Sequence, residues 1–96
     1  MQIQFIKPGE IQTYLGRGAQ FIDLRDAEDY RTKHIRGAVS MPYEEFLEQF
    51  THLPKNRTYV LYCERGATSM LAAGKMMAKG YTVYSLSGGM VSAVKG

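Results

Sequence analysis

Residues 58–69 read TYVLYCERGATS. Thr58 to Tyr62 are five strong β-formers, the pattern of a strand covered on both faces of a sheet. Cys63, the only cysteine in the chain, closes that run. Glu64, Arg65, Gly66, Ala67 and Thr68 are small or polar, and Gly66 can take a positive φ, so the segment can curl back on itself. From Ser69 to Lys79 the spacing predicts a helix, with Met70, Leu71, Ala72, Ala73, Met76, Met77 and Ala78 apolar. Lys75 and Lys79 are left to form its narrow solvent stripe. Gly80 has the place of a helix C-cap, with Lys79 favourably set against the dipole.

Alternating elements extend outward from this segment. Gln2 to Ile6 alternates as an edge strand would, and Lys7-Pro8-Gly9 breaks it. Pro8 suits the first turn of a short helix through Leu15, ended by Gly16 or Gly18. Phe21 to Leu24 is a compact apolar strand interrupted by Asp23, followed by a charged helical piece from Asp26 to Tyr30. Ala38 to Met41 is a short strand between Gly37 and Pro42. Tyr43 to Phe50 places Phe46, Leu47 and Phe50 on one helical face. Val83 to Leu86 is a further strand, and Gly88-Gly89 leads into a last short helix. Strands separated by helices need crossover connections. The fold class expected is therefore α/β: one domain over residues 1–96, with a small parallel sheet of about five strands and helices on both faces.

Composition narrows the function classes. Ninety-six residues close one core, and an apolar share of 45% with 22% charged residues belongs to a globular chain. The net charge of +3 comes from twelve scattered Lys and Arg. No stripe for nucleic acid results, and small anions fit better. The nearest basic cluster is Arg31, Lys33, His34 and Arg36, which reads either as a solvated turn or as a patch steering anions or an acidic partner protein. No secretory signal is visible and no apolar run reaches membrane-spanning length, so no membrane partner is expected. A lone cysteine excludes an internal disulfide and fits a reducing, cytoplasmic location. His34 and His52 stand far apart in sequence, so no metal site is expected.

In a parallel sheet, ligands bind beyond the carboxyl ends of the strands, and Cys63 stands at such an end. A loop curling into a helix N-terminus turns its backbone N–H groups inward, making an anion-binding nest. The same field favours the thiolate of Cys63, with Arg65 adding positive charge if it faces inward. A single cysteine at a strand end can equally be a small buried hydrophobe. The residues alone leave both readings open.

FIDLRDAEDYRTKHIRGAVSMP (21–42), YVLYCERGATS (59–69) and LSGGM (86–90) resemble, in order and spacing, the motifs of the rhodanese (sulfurtransferase) domain family. The resemblance implies a single-domain sulfurtransferase without a cofactor. Cys63 would take a sulfane sulfur from thiosulfate or a similar small anionic donor, become a persulfide, and pass the sulfur to cyanide or a thiol. It further implies a substrate cradle of Glu64, Arg65, Gly66, Ala67, Thr68 and Ser69, with Arg65 the candidate for the donor's anionic end. Asp23 and Arg25 would organise the surrounding loops, and His34 would fix its own loop by hydrogen bonds. His52 matches nothing. The related phosphatase signature needs arginine where this chain has Ser69, so phosphate-monoester chemistry is disfavoured.

Thr68 stands where many members carry arginine, which leaves donor preference open. Lys33 and Arg36 replace the glycine and proline that usually flank the His-Ile pair. Met90 and Ala93 replace an aromatic residue and a tryptophan common after the paired glycines. A second reading is a sulfur carrier or redox-sensing module that receives persulfide from a relay partner protein and turns over poorly alone. A third is a binding module with an inert cysteine.

Overall fold

The computed structural model describes residues 2–95. Five strands, β1 (Phe5–Ile6), β2 (Gln20–Asp23), β3 (Val39–Ser40), β4 (Thr58–Tyr62) and β5 (Thr82–Leu86), alternate with five helices. These are α1 (Ile11–Gly16), α2 (Ala27–Thr32), α3 (Tyr43–Gln49), α4 (Ala67–Ala78) and α5 (Gly89–Lys95). The sheet runs β1-β5-β4-β2-β3 and every pairing is parallel. The expected class, a five-stranded parallel sheet clad on both faces, is the one observed.

β4 is the middle strand, paired with β2 through Ile22↔Leu61 and with β5 through Val60↔Tyr84. Its side chains alternate between faces, as strand geometry requires. Tyr59 and Leu61 join Phe46, Ala72, Ala73 and Met76 in the layer covered by α3 and α4, and Cys63 continues that same side. Val60 and Tyr62 point the other way, into a layer with Ile6, Phe21, Ile35, Leu86 and Met90, covered from α1 and α5. A strand buried on both faces explains an apolar run without alternation. The Tyr62 hydroxyl, buried with its ring, accepts a 3.1 Å bond from the Ile35 amide, and burial pushes its phenol well above the ordinary pKa.

Several boundaries differ from the sequence reading, each for a local reason. β1 is only Phe5–Ile6, although the Gln4 carbonyl still accepts from Ser85 N at 2.9 Å. The expected strand 38–41 shortens to Val39–Ser40, because Ala38 N instead closes a turn onto the Ile35 carbonyl. α3 tightens to a 3₁₀ turn at Phe50–His52, where the Tyr81 hydroxyl takes the carbonyls of Phe50 and Leu53. α4 starts two residues earlier than expected, because left-handed Gly66 sets its start. Its solvent face is also wider than the two lysines: Leu71 is 61% exposed and Met70 42%. Among the described residues no helix is long and apolar enough to cross a membrane.

Candidate active site

Cys63 follows β4 directly and is 7% exposed. Gly66, at φ 111°, turns the loop so that its own amide donates to Cys63 Sγ at 3.1 Å. The amide of Ser69, in the first turn of α4, donates to the same sulfur at 3.3 Å. Two N–H groups at the N-terminus of a 12-residue helix thus converge on one sulfur, an arrangement that stabilises negative charge on it. Ser69 is fully buried, with its hydroxyl 3.2 Å from the Gly66 carbonyl it donates to and 2.7 Å from Ser85 Oγ. This small residue closes the loop where a phosphatase would present an arginine.

The loop is held from behind by α5. The carbonyls of Cys63 and Glu64 accept from Met90 N (2.8 Å) and Val91 N (3.0 Å), so they point away from the sulfur while the amides point toward it. That contact depends on Gly89, at φ 63°: a Cβ there would fall 2.5 Å from the Cys63 carbonyl oxygen and 2.6 Å from the Glu64 carbonyl carbon. The sequence reading took Gly88-Gly89 only as a helix start and missed its part in bracing the cradle. The available signal was two successive glycines just past the end of a strand paired to β4.

Asp23 is fully buried at the end of β2 and accepts from three donor groups of Arg25: backbone N at 2.9 Å, Nε at 3.1 and 3.3 Å to the two carboxylate oxygens, and Nη2 at 2.9 Å. These bonds raise the Arg25 pKa above its ordinary value against the opposing effect of burial. Arg25 also donates to the Lys33 carbonyl at 2.6 Å and to Glu64 Oε1 at 3.3 Å. One guanidinium therefore ties β2, the loop after α2 and the cysteine loop together. We expect Asp23→Asn to lower stability by about 2 kcal/mol, because a charge-assisted pair becomes a neutral contact with its amide group facing the guanidinium. A denaturation midpoint unchanged from the parent would contradict this.

The sequence-derived candidates are not all brought together. A cavity of about 290 Å³ opens over Cys63 and is lined also by Arg25, Glu64 and Thr68. Tyr43, Leu24, Asp26 and Asp29, none of them singled out from the sequence, complete its wall. Arg65 and Ala67 stand outside that lining. His34 is also outside it: its Nδ1–H donates to the Tyr30 carbonyl at 2.7 Å, and its ring stacks on Tyr30 at 3.8 Å between centroids. Tyr30 in turn donates to the Ala38 carbonyl at 2.7 Å, so the pair braces the connection between α2 and β3.

Residues 7–95 match the model of the rhodanese-like domain. The chain belongs to the rhodanese-like domain family. The family name agrees with the parallel sheet and with the amide-lined loop at the end of its middle strand. The chain is similar to a tRNA sulfurtransferase of Desulfurococcus amylolyticus, with 36% identity over 69 residues. That match takes in 72% of this chain but only 14% of the relative, which is far longer. The thiosulfate sulfurtransferase GlpE of Pseudomonas savastanoi is 28% identical over 85 residues, spanning 88% of this chain and 80% of the relative. Among solved structures, a rhodanese homologue from the extremely thermophilic bacterium Thermus thermophilus superposes with a TM-score of 0.76 at 30% identity, covering 92% of this chain and 98% of that one.

Proposed function

We propose that this rhodanese-like domain transfers sulfane sulfur through a persulfide on Cys63, and that thiosulfate serves as a laboratory donor. The observation that carries the reading is the convergence of the Gly66 and Ser69 amides on Cys63 Sγ. In the first half-reaction the thiolate attacks the outer sulfur of thiosulfate. The new S–S bond forms as the S–SO₃ bond breaks, and sulfite leaves with the electron pair. The negative charge ends on the terminal sulfur of the persulfide, within reach of the amides that held the thiolate. In the second half-reaction cyanide or a thiolate takes that terminal sulfur and returns Cys63 to the thiolate, so ping-pong kinetics follow. The backbone of residues 64–68 supplies the cradle, and Asp23 and Arg25 hold it in place. Arg65, exposed and outside the cavity lining, is not given the donor's anionic end in this reading.

Mass measurement tests the reading. Incubation with thiosulfate adds one sulfur atom to the chain, and cyanide then removes it as thiocyanate. No adduct with thiosulfate or with any other sulfane donor would overturn the proposal. Slow turnover with free donors beside rapid loading by a partner protein would instead identify a sulfur carrier.

A further inference from the structure

The cavity over Cys63 carries a charge pattern opposite to that of the chain. Asp26, Asp29 and Glu64 stand exposed on its rim, and among the described residues Arg25 is the only basic one lining it. That base is already matched, 2.9 Å from buried Asp23 and 3.3 Å from Glu64. The formal balance at the entrance is negative even though the chain as a whole bears +3. Amides stabilise an anion at the bottom of this cavity, while carboxylates oppose the arrival of one at the top.

We propose that Asp26, Asp29 and Glu64 make access to Cys63 selective by charge, admitting small sulfur donors of zero or positive net charge and slowing free dianions such as thiosulfate. The inference rests on the persulfide reading above and names its donor class, of which an aminoalkyl persulfide is the simplest case. There the Cys63 thiolate attacks the terminal sulfur of R–S–SH. A Cys63–S–SH bond forms, the donor's S–S bond breaks, and RS⁻ leaves with the electron pair. The donor's ammonium group meets the rim carboxylates as it arrives, whereas both negative charges of thiosulfate are repelled. A cavity of this volume is about 7 Å across, inside the Debye length of about 10 Å at 0.1 M salt, so screening by ordinary buffers is incomplete.

Two charged thiol reagents test the gate without requiring sulfur transfer. Trimethylammonioethyl and sulfonatoethyl methanethiosulfonate both place a thioalkyl group on a thiolate and release methanesulfinate. Cys63 is the only thiol in the chain, so labelling reports on this site alone. Each rate is divided by that of the same reagent with N-acetylcysteine methylamide. At low salt the cationic reagent is expected to lead by about tenfold, with the lead shrinking as salt is added. Asp26→Asn/Asp29→Asn reduces the lead to about threefold or less and speeds loading from thiosulfate by a similar factor. The control Glu45→Gln/Glu48→Gln, which removes the same charge from the outer side of α3, leaves the ratio in place.

A ratio at or below one, no labelling by the cationic reagent, or an equal change in both double variants would overturn the gate. Persulfide formation is read separately by mass. Absence of a sulfur adduct from an aminoalkyl persulfide and from thiosulfate alike overturns the persulfide reading, and with it the donor class, whatever the reagent ratio.

Discussion

Cys63→Ser, incubated with thiosulfate and desalted, is expected to gain no sulfur, and the thiocyanate production proposed for the parent is expected to fall at least about a thousandfold. The size of the loss follows from what surrounds the position. A serine hydroxyl must lose a proton to attack, and no histidine lines the cavity to take it; the imidazole of His34 is engaged with Tyr30 elsewhere. A seryl oxygen also cannot store a sulfane sulfur as a persulfide. The substitution is mild structurally, since the amides of Gly66 and Ser69 that face the sulfur at 3.1 and 3.3 Å can donate to the smaller oxygen. Stability is therefore expected to stay within about 1 kcal/mol of the parent. Mass spectrometry and a denaturation curve on the same sample separate lost chemistry from lost fold. A serine variant that still takes up sulfur would move the nucleophile elsewhere.

Gly89→Ala is expected to be a severely damaging single methyl group, costing about 4 kcal/mol in stability and most of the loading rate. Two causes add. At φ 63° an alanine sits in the left-handed region, which costs about 1–2 kcal/mol for any L-residue. The new Cβ also meets the carbonyls of Cys63 and Glu64 at 2.5–2.6 Å, and backbone cannot swing aside as a side chain can. Relief requires separating the cysteine loop from Met90 N and Val91 N, which turns the loop amides off the sulfur. Gly80→Ala separates the two causes, because Gly80 has φ 88° with open space around its Cβ position. It should show the conformational cost alone, about 1–2 kcal/mol, with loading unchanged. Equal effects in the two variants would refute the crowding.

How much of this was legible beforehand depended on whether the cause was local. The strand at Thr58–Tyr62, the turn at Gly66 and the helix after it depend on neighbours within a few residues, and they were read correctly to within two positions. The parallel class followed from the alternation of strands and helices. Length was overestimated at the sheet margins, β1 and β3, where propensity continues but a pairing partner does not. Met70 and Leu71 were counted with the apolar face of α4 and are exposed, because apolar identity alone does not say which side a short helix turns to the sheet.

In the site, D-x-R told of Asp23 and Arg25 because their bond spans two residues. The acidic wall of Asp26 and Asp29 was missed because it becomes a wall only when α2 is laid beside the β4 loop. The role of Gly89 was hidden for the same reason: its neighbour in space is Cys63, which lies 26 positions earlier in the chain.

β1 and β5, the first and last strands of the described chain, lie side by side in the sheet, and the helix that latches the cysteine loop follows β5. During synthesis the loop sequence emerges before its latch, and non-local parallel pairings of this kind are slow to form. A chain truncated before Met90 therefore lacks the two amides that hold the Cys63 and Glu64 carbonyls from behind, and its cysteine loop is expected to be looser than that of the full chain. On the persulfide reading proposed above, such a chain is expected to load sulfur more slowly than the full one.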